Sequence, residues 1–195
     1  METLPSFLIV KIFDCMGLLS LRNVLMTCKK INNIFNNSSY DTIVKRRMIR
    51  DNLNRYIRKS LNKWIKYAAT IGDVELVEYF ISKGANDWHL GMYGAAKGGH
   101  LSLVEYFVSK GANDWNWSMR GAARGGHMVL VEYFISKGAD NWNWGMYQAA
   151  IGGHLNMVEY FVSKGANHLN YAMNLASDKR HLMLVKYFVS KGANN

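Results

Sequence analysis

Proline is almost absent from this chain: its 195 residues hold one, Pro5. Cysteine is scarce too. Cys15 and Cys28 are too few for a disulfide framework, which points to a reducing, intracellular setting. No apolar run approaches the ~18–20 residues that span a bilayer, so no membrane partner is expected. Phe7-Leu8-Ile9-Val10 is apolar, but Glu2 precedes it and Lys11 and Asp14 interrupt it, a poor secretory leader. Acidic groups are outnumbered, 14 against 24 Lys and Arg, and the formal charge is +10. There is no G-x-x-x-x-G-K-[ST] phosphate loop, no catalytic carboxylate pair and no nucleophile–base–orienter set. A non-enzyme with no catalytic residues, no cofactor and no metal is expected.

What the chain does have is repetition. Gly84-Ala85-Asn86 returns as Gly111-Ala112-Asn113, Gly138-Ala139-Asp140, Gly165-Ala166-Asn167 and Gly192-Ala193-Asn194, each 27 residues on. Residues 91–115 read GMYGAAKGGHLSLVEYFVSKGANDW, and residues 145–167 read GMYQAAIGGHLNMVEYFVSKGAN. A unit this short cannot bury a core alone and must stack on its neighbours, so residues 61–195 form a solenoid. The units are 61–84, 85–111, 112–138, 139–165 and 166–195.

Each unit reads as two helices. The first covers Gly91–Lys97, with the pair Ala95-Ala96 allowing a neighbouring backbone close. A turn follows at Gly98-Gly99-His100. The second covers Leu101–Lys110, with Leu101, Val104, Phe107 and Val108 as its apolar stripe. Gly111 fits the left-handed position past the helix end, and a loop, Ala112–Trp117, leads onward. The pattern A-A-x-x-G-H-L-x-x-V-x-x-[FL]-[VI]-x-x-G-A-[ND] resembles the ankyrin repeat over residues ~61–195. Ankyrin units run 33 residues, and the usual T-P-L-H opening is replaced by Leu90-Gly91-Met92-Tyr93. The resemblance therefore implies helix pairs with reduced β-hairpin fingers. Such short, near-identical units look like those of ankyrin proteins from large DNA viruses that infect amoebae.

The N-terminal third does not repeat, and it holds most of the charge. Residues 1–60 carry eleven Lys and Arg against four Asp and Glu; residues 61–195 carry thirteen against ten. Leu8, Ile9, Ile12, Phe13 and Met16 form one amphipathic stripe, and Leu21, Val24, Leu25, Cys28 and Ile31 form another. Pro5 stands just before the first, where a helix tolerates it. The order Leu4-Pro5, Leu8, Ile12-Phe13, Leu21, Val24, Met26, Cys28-Lys29-Lys30 resembles the F-box over residues 1–47. In that family these helices pack on the adaptor subunit of cullin–RING ubiquitin ligases. The resemblance thus implies adaptor contacts at Leu4, Pro5, Leu8, Ile12, Phe13, Leu21, Val24 and Cys28. The competing reading is a plain helical cap for the repeats. Residues 48–60 make a basic helical linker. The basic stretch 45–66 is either a nucleic-acid patch or a solvated linker face.

Within the repeats, His100, His127, His154 and His181 form a ladder at the 27-residue period, spaced for a role in the turn rather than for a shared metal ion. Trp88, Trp115 and Trp142 recur in the loops. Other columns vary beside these fixed ones: Leu90, Trp117, Trp144, Tyr171; Tyr93, Arg120, Tyr147, Asn174; Lys97, Arg124, Ile151, Asp178. Aromatic and Arg side chains are common interface anchors. Tyr93, Lys97, Trp117, Arg120, Arg124, Trp144, Tyr147 and Tyr171 are the candidate target-binding residues, with drift after duplication as the competing account.

The expected protein is therefore an all-α, ankyrin-type helical solenoid with an N-terminal F-box-like module. It is expected as a monomer inside cells, in the host cytoplasm if viral. The implied function is a protein–protein adaptor that recruits a target to a ubiquitin ligase. The alternatives are a non-catalytic scaffold without a ligase link, or nucleic-acid binding through residues 45–66.

Overall fold

The computed structural model describes residues 61–194, which belong to one compact unit, Arg58–Asn195. The adaptor-binding residues Leu4 to Cys28 and the linker 48–60 lie outside the described residues. Among the described residues every regular element is an α-helix. They pair as α1 (the helical residues 61–71) with α2 (Val74–Ser82), α3 (Trp88–Gly98) with α4 (Leu101–Ser109), and α5 (Trp115–Gly125) with α6 (Met128–Ser136). Then follow α7 (Trp142–Gly152) with α8 (Leu155–Ser163), and α9 (Leu169–Asp178) with α10 (Leu182–Ser190). The 27-residue helical repeat is thus present, and no strand pairs across the loops among these residues.

The odd-numbered helices start earlier than the sequence suggested. Trp88, Trp115 and Trp142 are their first residues, not loop residues. The cause is an N-cap just before each. Asp87 accepts from Leu90 N at 2.9 Å, Asp114 from Trp117 N at 3.0 Å, and Asn141 from Trp144 N at 3.4 Å. Each even helix ends in a Schellman closure. In the second unit Ala112 N reaches Phe107 O at 3.0 Å and Gly111 N reaches Val108 O at 2.9 Å. Gly111 has φ +100° and open space where a Cβ would stand, so glycine is needed there for conformation alone.

The core is a ladder of the same side chains. Met92, Ala95, Ala96, Leu103, Val104 and Phe107 of the second unit are buried, and their equivalents recur along the array. Two residues of the expected stripe lie off it: Leu101 is 38 % exposed and Val108 is half-buried. At about 100° per residue, the buried face is centred among Leu103, Val104 and Phe107. Leu101 and Val108 stand roughly a quarter-turn or more to its side.

Units are stitched by two polar ladders. The side-chain oxygen of Asn116 accepts from Asp140 N and Asn141 N, both at 3.0 Å; Asn62, Asn143 and Asn170 hold the following loop in the same way. His89 takes this place in the second unit, its Nδ1 lying 3.4 Å from Asn113 N. The second ladder is the histidine column. His100 Nε2 donates to Thr70 O, His127 to Lys97 O, His154 to Arg124 O and His181 to Ile151 O, at 3.1–3.2 Å. These rings stand at the N-caps of even helices yet make no capping bond, because each is spent on the preceding unit. Asp73 holds the equivalent place in the first unit and caps its own helix through Leu76 N.

The rings also explain the glycine pairs. A Cβ on Gly98 would lie 2.2 Å from Thr70 O, and one on Gly99 would lie 2.5 Å from the His127 ring. In the last unit Lys179 replaces the first glycine, and α9 ends one residue short of its counterparts. Arg180 replaces the second and takes the left-handed conformation itself, at φ 60°. Successive odd helices pack closely on one another, whereas successive even helices meet far less.

Candidate functional site

Small residues hold the odd helices close enough to form a row. Ala95, Ala96, Ala122, Ala123, Ala149 and Ala150 are fully buried. A Cβ on Gly94 would sit 2.3 Å from Lys66 O, and one on Gly121 would sit 2.8 Å from Tyr93 O. Long side chains just outside this seam therefore meet their counterparts in the next unit.

The candidate residues are brought together in that row. Lys66 Nζ lies over the Tyr93 ring at 4.6 Å, and Tyr93 stacks on Trp117 at 5.0 Å. One unit further, the Arg120 guanidinium covers Trp144 at 4.3 Å. Trp144 meets Tyr147 edge-on at 5.5 Å, and Tyr147 meets Tyr171 at 4.7 Å. Arg124 donates to the Gln148 side chain at 3.1 Å. Every step from one unit to the next is thus bridged on this face.

The candidates differ in how much surface they offer. Trp144 and Tyr171 are 42 % and 53 % exposed; Tyr93, Lys97, Trp117, Arg120 and Arg124 are half-buried. Tyr147 is buried, with its hydroxyl 2.6 Å from His168 Nδ1, and supports its neighbours from below. Burial, and then the nearby Tyr171, raises the Tyr147 phenol above the ordinary tyrosine value. Trp144, Tyr147, Leu169 and Tyr171 line an open cleft of about 650 Å³ between the last two units. Trp115 instead stacks on Phe134 within its own unit, at 6.5 Å, and is half-buried there.

Lys66 was not among the residues picked from sequence. Burial, and then the like charges of Lys97 and Arg124, lowers its pKa below the ordinary lysine value. The signal was available: Lys66 stands 27 residues before Tyr93, in the same variable column. The described residues hold no His, Cys, Asp and Glu group able to bind a metal ion. None of their helices is long and apolar enough to cross a membrane. Comparison with protein-family models and with curated proteins gives no match for this chain.

Proposed function

We propose that this chain is a non-catalytic substrate adaptor. Its repeats are of the ankyrin type and hold a target protein on the odd-helix face. Its F-box-like residues 1–47 join that target to the adaptor subunit of a cullin–RING ubiquitin ligase. Similarity of the short units to amoebal-virus ankyrin proteins supports a place in the host-cell cytoplasm.

One observation carries the target-binding half. Aromatic and cationic side chains run along the odd helices in two contacting groups, Tyr93 with Trp117, and Arg120 with Trp144, Tyr147 and Tyr171. Rigid rings backed by cations bring large contact area at low entropic cost. The ligase half rests on Leu4, Pro5, Leu8, Ile12, Phe13, Leu21, Val24 and Cys28 in the sequence.

The two halves are tested separately. The full chain should co-purify with the ligase adaptor subunit, and deletion of residues 1–40 should abolish this while the repeats keep their thermal transition. Failure to bind, together with a large loss of stability on truncation, would make those residues a cap and the protein a scaffold. For the target, Trp144→Ala should weaken binding with little change in thermal unfolding. Unfolding of the array by Trp144→Ala would place that ring in the core instead.

A further inference from the structure

We propose that the odd-helix face of the first three units takes an acidic peptide segment of a partner protein. This rests on the target-binding reading and specifies its chemistry. The charge on the array is sorted by helix. Helices α3, α5 and α7 and residues 61–71 contain no carboxylate, yet they hold Lys63, Lys66, Lys97, Arg120 and Arg124. Glu75, Glu78, Glu105, Glu132 and Glu159 all stand on even helices. Asp87 and Asp114 border the face, each with a side-chain oxygen accepting a helix N–H.

Lys66, Lys97 and Arg124 therefore share one field without counter-charge on their helices. None of the five is paired with a carboxylate among the described residues. Burial disfavours the charge of Lys66, and the like charges of Lys97 and Arg124 add to it. The Arg120 Nε is buried with no acceptor. A carboxylate arriving here would relieve repulsion and pair with the half-buried Lys97 and Arg124 side chains.

Charge also decides among occupants. Residues 1–60 of this chain carry eleven Lys and Arg against four Asp and Glu, so they complement the face poorly. Single-stranded nucleic acid binds by stacking bases on free rings. In these three units Tyr93 already carries the Lys66 ammonium and Trp117, and the exposed rings, Trp144 and Tyr171, lie beyond the cations. What remains open is cationic donors, which suit carboxylates. Three units at about 10 Å each place the outer pair about 20 Å apart. That is about six or seven residues of extended chain. Beyond them the columns turn neutral or acidic, to Ile151, Asn174 and Asp178, beside the aromatic cleft of Trp144 and Tyr171. An apolar residue following the acidic stretch fits there.

The test is phage selection of random peptides of about ten residues on the full chain. Enrichment of Asp and Glu is expected. A selected peptide should lose about tenfold or more in affinity with the double variant Lys97→Glu and Arg124→Glu, and less with Lys97→Gln and Arg124→Gln. Lys110→Glu with Lys137→Glu makes the same net-charge change on the even-helix side and should alter affinity by less than about twofold. Thermal unfolding of each variant checks the fold. Enrichment of neutral or basic peptides, or equal loss with the even-side pair, overturns the proposal. If those neutral peptides still need Trp144, the target-binding reading survives while the acidic partner does not. A single-stranded oligonucleotide of matched length that binds more tightly, and is lost with Lys97→Glu and Arg124→Glu, also overturns it.

Discussion

At the scale of single residues, the array departs from its own repeat at a few positions, and each departure has a measurable consequence. Ser118 stands where the other units have Trp64, Gly91, Gly145 and Ala172. It is fully buried, and its hydroxyl has no hydrogen-bond partner. An unmade bond of this kind costs about 1–3 kcal/mol. Ser118→Ala should therefore stabilise the chain by about 1 kcal/mol, since alanine already fits the column at position 172. Chemical denaturation of both proteins checks this, and a destabilised variant would mean that the hydroxyl has a partner after all. Ser118 was not legible as an anomaly from sequence, because serine replaces glycine freely on surfaces. Only its burial makes it one.

At the scale of elements, the seam between odd helices sets the fold. Its alanines and glycines bring helix backbones together, and the gap leaves no room for a larger side chain. Ala122 is fully buried in the middle of the seam. Ala122→Leu should overpack it and cost about 1–3 kcal/mol, read as a lowered unfolding midpoint. An unchanged midpoint would show the seam to be loose. The helix pairs, the close alanines and the left-handed Gly111 were all readable from pattern. The starts of the odd helices were not, because Asp87 and Asp114 look like loop residues until their cap bonds are seen. The asparagine ladder was missed for a similar reason. Asn62, Asn116, Asn143 and Asn170 recur at the period, but an asparagine in sequence does not say which backbone it holds.

At the scale of the whole molecule, burial of Lys66 among like charges leaves a pH signature. Lys66 has a folded pKa below the ordinary value of 10.5. Between the folded and unfolded values the unfolded chain binds more protons, so this group makes stability rise with pH through that window. Below it, the charged lysine is a standing cost. Comparing wild type with Lys66→Met cancels the other titrating groups. Wild type should gain on the variant as pH is raised from neutral toward 10.5. A relative loss over that range would show Lys66 to be stabilised by a partner.

The repeat period by itself determined the architecture of residues 61–194. A 27-residue unit with one alanine pair, one apolar stripe and one left-handed glycine can satisfy its backbone only as a helix pair, and bury its side chains only by stacking. The tertiary structure decided what the stacking does with the rest. It turned the histidine column into bonds between units, because a ring at a helix start reaches back to the carbonyl thirty residues earlier. It moved the buried stripe onto Leu103 and put Tyr147 beneath the face rather than on it. It also gathered Lys66, Lys97 and Arg124, which are far apart in the chain, into one field. Periodicity is a local property and shows in sequence. Contacts between units depend on how far each side chain reaches across a seam, and that distance exists only in the folded stack.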